Sequence, residues 1–156
     1  IFSENIIEAD SVDGFAMLIN KQKFNENNFF DEKFFLFLEN DDLCKRIKTK
    51  GNKIYVIKNA FIDHKGFSSS TKIDKEELEY LRNWHWMWSK FYFNKKHFGF
   101  LQAFISVLPS FLSSIIKLLI FTLLFNKKKR KIYQFRFYGI LNSIMGKNSW
   151  YRIKKD

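Results

Sequence analysis

Residues 29–46 read FFDEKFFLFLENDDLCKR, and the reading of this stretch decides the fold. An aromatic and aliphatic run, Phe34 to Leu38, leads into four polar residues, Glu39, Asn40, Asp41 and Asp42. Leu43 and Ile47 then stand four apart, with Lys45, Arg46, Lys48 and Lys50 around them, which is helical spacing. An extended segment is therefore expected to deliver an acidic cluster to the first turn of a helix. The helix dipole favours negative charge there, so simple capping is one reading. The other is chemical: crowded carboxylates beside apolar surface are a way to build a general base. Gly51, after Lys48 and Lys50, suits the end of the helix.

The flanking sequence extends this into an alternating pattern. Val12 to Ile19 reads as a buried strand interrupted by Gly14, where a ligand or another backbone comes close, or where the strand bulges. Residues 21–28 read as a short helix or turn. Lys53 to Ile57 alternates as a short strand, and Phe61 to His64 is another extended run, followed by a loop from Lys65 to Thr71. His64 at that strand end is either structural or a ligand.

Phe30-Asp31-Glu32, Phe34-Phe35, Glu39 to Asp42, Leu43-Cys44 and Arg46 together resemble the acceptor-side signature of family 2 glycosyltransferases. The nearest pattern is that of the rhamnosyltransferase-like enzymes that build bacterial surface polysaccharides. The resemblance implies an α/β fold: the C-terminal part of a GT-A, Rossmann-like domain, followed by long helices, one of them membrane-associated. It implies inverting transfer of a sugar such as rhamnose from a nucleotide-sugar donor to a lipid-linked or polysaccharide acceptor. The family usually reads Glu-Asp-x-Asp-Leu-Cys, and Asn40 stands here where the family has an aspartate. An amide cannot take up a proton as a carboxylate does, so the base is sought among Asp41, Asp42 and Glu39, in that order.

The same resemblance gives Gly14 a place beside the sugar. It makes His64 a ligand of a divalent metal, Mn or Mg, whose other ligands belong to an upstream half with an Asp-x-Asp motif. Family members often carry His-x-Gly-Gly-x-Ser at this point; here Phe67 replaces the second glycine. No separate Asp-x-Asp occurs in the chain, which opens on Ile1-Phe2 without Met, so it reads as the acceptor half of a longer enzyme and is not expected to turn over alone.

Beyond the acidic stretch the chain becomes helical and aromatic. Residues 74–97 are expected to form a long helix with Asp74 as its cap and Leu78, Leu81, Trp84, Trp88 and Phe91 toward a core. Arg82, His85, Ser89, Tyr92 and Lys96 recur at the same spacing on another face, either solvated or suited to phosphate and sugar hydroxyls. Residues 98–125 are apolar and long enough to cross a bilayer. Pro109 interrupts them, and Gln102, Ser106, Ser110, Ser113 and Lys117 draw a polar stripe down one side. That stripe favours a helix on the membrane surface, or a re-entrant one, over a span bathed in lipid. The expected organisation is 1–73 as acceptor-side catalytic part, 74–97 as an aromatic amphipathic helix, and 98–156 as membrane helix and basic tail.

Charge follows the same division. Residues 1–98 hold 16 Lys/Arg against 15 Asp/Glu, whereas residues 127–156 hold 10 against Asp156 alone. The excess of +11 is thus a property of the tail, led by Lys127 to Lys131. A polybasic run beside an apolar helix is attracted to anionic lipid and reads as lying on the cytoplasmic face of the inner membrane. Nucleic acid is disfavoured as a partner, because the charge does not line the globular part. The competing class is a non-catalytic membrane-binding adaptor, which needs no acidic cluster. Cys44, the one cysteine, excludes an internal disulfide and suits a small buried residue.

Overall fold

The computed structural model describes residues 5–23, 29–64 and 74–153. They divide into two compact units. The first takes the described residues of Ile1–Glu32 and Leu38–Thr71; the second takes Lys33–Phe37 and those of Lys72–Asp156.

The first unit holds strand β1 (Ile6–Ala9), helix α1 (Glu39–Thr49) and strand β2 (Ile54–Ile57), with a single 3₁₀ turn at Lys21–Lys23. β1 and β2 pair antiparallel, Ile6 opposite Ile57 and Ala9 opposite Ile54. Lys53 Nζ donates to Glu8 Oε2 at 2.9 Å across the ribbon. The chain enters α1 through two consecutive left-handed residues, Phe37 at φ 70° and Leu38 at φ 66°. Such backbone costs a residue with a Cβ roughly 1–2 kcal/mol, so packing must enforce it. α1 ends as its sequence indicates: Gly51 at φ 78° lets its N–H reach Lys48 O at 2.9 Å and Asn52 N–H reach Ile47 O at 3.2 Å. Leu43 and Cys44 are its buried face.

The second unit is helical: α2 (Lys75–Phe98), α3 (Phe100–Leu123) and α4 (Lys127–Ile144). Asp74 caps α2 by accepting from Glu76 N–H at 3.0 Å, and Asn126 caps α4 by accepting from Lys129 N–H at 3.0 Å. Gly99, at φ 87°, turns the chain between α2 and α3. Phe91 meets Phe100 across that turn, and Phe121 stacks on Tyr133 across the next. α3 therefore runs antiparallel to both neighbours. α4 lies parallel to α2, as Tyr80 against Phe135 and Ser143 Oγ on Trp88 O require. Met87, Phe91, Ala103, Val107 and Ile140 form the core where the three meet. Gly139 is the closest approach: a Cβ there would stand 2.3 Å from Trp84 O.

This architecture overturns the α/β, Rossmann-like expectation. The described residues are mostly helical, with a single two-stranded sheet that is antiparallel. A Rossmann sheet needs parallel strands joined by crossovers. Val12–Ile19 and Phe61–His64, read as strands, form none, and most of their residues are exposed. Phe34–Leu38, read as extended, bends left-handed at its end. Of the expected strand Lys53–Ile57, Ile54–Ile57 forms, and its partner is Ile6–Ala9. The helices at 74–97 and 98–125 do form, but with α4 they pack as one unit, which also takes in Lys33–Phe37.

Candidate functional site

The first unit gathers three of the residues picked out by sequence around the irregular segment Ser11–Phe15. Asn40 Nδ2 donates to Val12 O at 3.0 Å. Ser11 Oγ donates to Asp41 Oδ1 at 2.6 Å. Gly14 lies directly over Asn40, where an added Cβ would be 3.3 Å from the Asn40 Cβ. Phe15 stacks on His64 with ring centroids 4.7 Å apart. Twenty-five residues lie between Gly14 and Asn40 in the chain, and the fold closes that gap with one side-chain to backbone bond and one side-chain to side-chain bond.

Within the cluster the carboxylates divide. None caps α1: Leu38 is the N-cap residue and no side chain bonds there. Asp42 is fully buried, and its Oδ2 accepts from Arg46 Nε at 2.9 Å one turn on. Arg46 also donates to Phe29 O, so Asp42 and Arg46 together hold the incoming chain. Asp41 is half-buried and, among the described residues, tethered through Ser11. Glu39 is half-buried with Oε2 enclosed and bonded to no described residue. Asp41 is thus the carboxylate that is both oriented by a hydrogen bond and partly open to solvent. Asp42→Asn should act on stability instead. It removes the charge that the Arg46 guanidinium, only 16% exposed, meets at 2.9 Å, and should cost about 1.5–3 kcal/mol, read from the urea midpoint.

A metal is not accommodated by these residues alone. Among the described residues Glu39 Oε2 is an oxygen without a hydrogen-bond partner, but no three His, Cys, Asp or Glu side chains come together there to hold an ion. His64 is exposed and stacked on a ring. The loop residues Gly66, Phe67 and Ser68 lie outside the described residues.

No family model, curated protein or solved structure matches the chain.

In the second unit the polar face of α2 is put to different use from an open binding stripe. His85 and Ser89 are fully buried. Ser89 Oγ donates to Leu36 O at 2.8 Å and pins the 33–37 segment to α2. Phe34 packs beside it against Trp88 and Tyr92. His85 Nε2–H donates to Tyr151 O at 2.8 Å, so its Nδ1 accepts from Ser149 Oγ at 3.0 Å. Trp88 Nε1 donates to Lys147 O at 2.9 Å. The Gly146–Arg152 segment is thereby fastened along α2. Arg82 lies over the Phe37 ring and Lys96 over the Phe34 ring, each 5.9 Å from the centroid. A sequence signal for the burial of His85 and Ser89 is present, because the buried Trp84 and Trp88 stand next to them.

Burial, with the nearby Arg152 charge, pushes the His85 imidazole down to about 4. A folded-state value below the unfolded one means that the unfolded chain takes up the proton first. The stability contributed by neutral His85 is therefore intact above about pH 6.5 and is lost as pH falls toward 4. The loss should reach roughly 2–3 kcal/mol. Urea titrations at a series of pH values should show it, and His85→Gln, which cannot titrate, should flatten that part of the slope while lowering stability at neutral pH.

Along α3 one face is left open. Leu101, Ile105, Leu112, Ile116, Leu119 and Leu123 are exposed, and only 11% of the most apolar eighteen-residue window is buried. The helix is long and apolar enough to cross a membrane. Of the expected polar stripe, Ser106 Oγ bonds back to Ala103 O at 2.7 Å, while Gln102 and Lys117 remain exposed. The truly buried line is Ala103, Val107 and Ser114.

Proposed function

We propose that this chain is the acceptor-side part of an inverting glycosyltransferase working at the cytoplasmic face of the inner membrane. It would move a sugar from a nucleotide-sugar donor to a lipid-linked or polysaccharide acceptor. The observation that supports this reading is the convergence of Gly14, the Glu39–Asp42 cluster and, through Phe15, His64 in one place. Each was picked out by sequence for a role at the same reaction. In the proposed step Asp41 takes the proton from an acceptor hydroxyl as that oxygen bonds to the anomeric carbon and the nucleoside diphosphate leaves. Ser11 holds the carboxylate in register. The Phe37–Leu38 backbone, held in a conformation unusual for side-chain-bearing residues, adds the kind of strain that collects at functional sites.

Two further features fit. The first unit exposes Ile7, Val56, Ile57, Phe61 and Ile62, apolar surface of the kind that packs against more protein, where a donor-binding part would sit. The open face of α3 and the basic run at Lys127–Lys131 would hold the enzyme near a lipid-linked acceptor. These last features also favour the second reading, a membrane adaptor without catalysis. The test is transfer itself: the full-length protein, with membrane extract as acceptor source, is given a panel of labelled nucleotide sugars. Label moving into the lipid or polysaccharide fraction supports the enzyme. Folded protein that transfers from no donor leaves the adaptor.

A further inference from the structure

We infer that α3 lies in the plane of an anionic membrane interface, with its open face down, and does not cross the bilayer. The inference rests on the membrane part of the reading above and fixes its geometry. Leu101, Ile105, Leu112, Ile116, Leu119 and Leu123 recur along one side of the helix. At 1.5 Å per residue they draw a line of roughly 33 Å. The opposite side is occupied along its length by α2 and α4, through Phe91 and Phe100 at one end and Phe121 and Tyr133 at the other. A crossing α3 would drag both neighbours into hydrocarbon. They carry Arg82, Asn83, Lys90 and Asn94 on α2 and Arg136 on α4, polar or charged groups that are costly at membrane depth. Lying flat, α3 buries only its apolar side, and α2 and α4 stay in water above it.

Charge points the same way. Basic residues stand at both ends of α3: Lys95, Lys96 and His97 before it, and Lys127–Lys131 after it. A span would place its ends on opposite leaflets. A helix lying flat brings both ends to one anionic surface. Lys127–Lys131 also occupy the first turn of α4, where the helix dipole disfavours cations. Lys128 meets Glu76 and Glu79 at 3.8 and 3.5 Å. Lys127 and Arg130 are exposed, and an anionic headgroup layer is the counter-charge that fits them.

The experiment places an environment-sensitive dye at Leu101→Cys, Leu112→Cys or Leu123→Cys in the full chain, with buried Cys44 left in place. Depth is read by quenching with lipid-borne quenchers in phosphatidylcholine–phosphatidylglycerol vesicles. All three positions are exposed, so the labelled proteins should keep the helical circular dichroism of the parent. Equal, shallow depths at the three sites are expected. A deep Leu112 between two shallow ends would overturn the in-plane geometry and leave membrane association standing. Binding to no vesicle, with dimers in sedimentation that Ile116→Asp with Leu119→Asp abolishes, would overturn the membrane reading and make a second copy the occupant of this face. Lys127→Gln, Lys129→Gln and Arg130→Gln together should weaken binding to the anionic vesicles roughly a hundredfold and leave binding to phosphatidylcholine alone unchanged. An equal loss on both lipids would also overturn the proposal.

Discussion

If the proposed transfer runs through Asp41, Asp41→Asn should lower it in the full-length protein by about 10²–10⁴-fold, the range that general base catalysis supplies, with donor affinity nearly unchanged. The substitution is close to isosteric. An asparagine Oδ1 still accepts from Ser11 Oγ, so the 2.6 Å tether and the segment around Gly14 should survive. What is lost is the capacity to take up a proton. Asp42→Asn provides the contrast: its carboxylate is fully buried on Arg46, so its effect should appear as a lower urea midpoint and a modest fall in the folded fraction. The distinction lies in the kinetic split. Asp41→Asn should reduce kcat at normal KM for the donor and at normal stability. If Asp41→Asn keeps near-normal turnover while Glu39→Gln abolishes it, the base is Glu39, whose enclosed Oε2 then has its explanation. If all three variants turn over normally, the chemistry does not run through this cluster.

Local signals in the sequence were legible where one residue type has one physical use. Gly51 ends α1 left-handed, Asp74 caps α2, and Lys53–Ile57 alternates into a strand. The apolar period of Leu81, Trp84, Trp88 and Phe91 does face a core. Val12–Ile19 is hydrophobic without strand pairing: Val12 O accepts from Asn40 and Gly14 lies against Asn40, so a polar tether stands where a ladder is expected. The strand partner of β2 came from Ile6–Ala9, a segment without a distinctive pattern of its own. α4 was not expected as a helix, since its basic start and scattered aromatics follow no single apolar stripe; α2 and α3 contact it on two different sides. Of the run Phe34–Leu38, Phe34 packs on Trp88 and Tyr92 of α2. At the candidate site, residue types were legible and partnerships were not. The four-residue step from Asp42 to Arg46 is that of a helical ion pair, but nothing in the spacing tells that the pair is buried, or that His85 ties down Ser149 and Tyr151.

Gly139→Ala should destabilise the protein by about 2 kcal/mol, and Gly139→Val by more, although both replace a glycine inside a helix. The usual sign is the reverse: alanine in place of a mid-helix glycine is worth about 1 kcal/mol in favour of folding. Here the added methyl has no room. It would sit 2.3 Å from Trp84 O, 3.1 Å from Trp84 C and 3.3 Å from Met87 Cβ. The obstacle is helix backbone, which cannot turn aside as a flexible side chain does, so α2 and α4 must separate. Overpacking of this kind costs roughly 1–3 kcal/mol, and occasionally more. Separation would also stretch the contacts that depend on the close crossing: Ser143 Oγ on Trp88 O at 3.0 Å, and Trp88 Nε1 on Lys147 O at 2.9 Å. Valine adds β-branching and two further carbons to the same clash, and should leave much of the chain unfolded at 37 °C. Urea and thermal unfolding of the two variants would measure this. A gain in stability from Gly139→Ala would show that α2 and α4 do not cross as closely as Gly139 implies, and would remove the geometric basis for packing the 146–152 segment along α2.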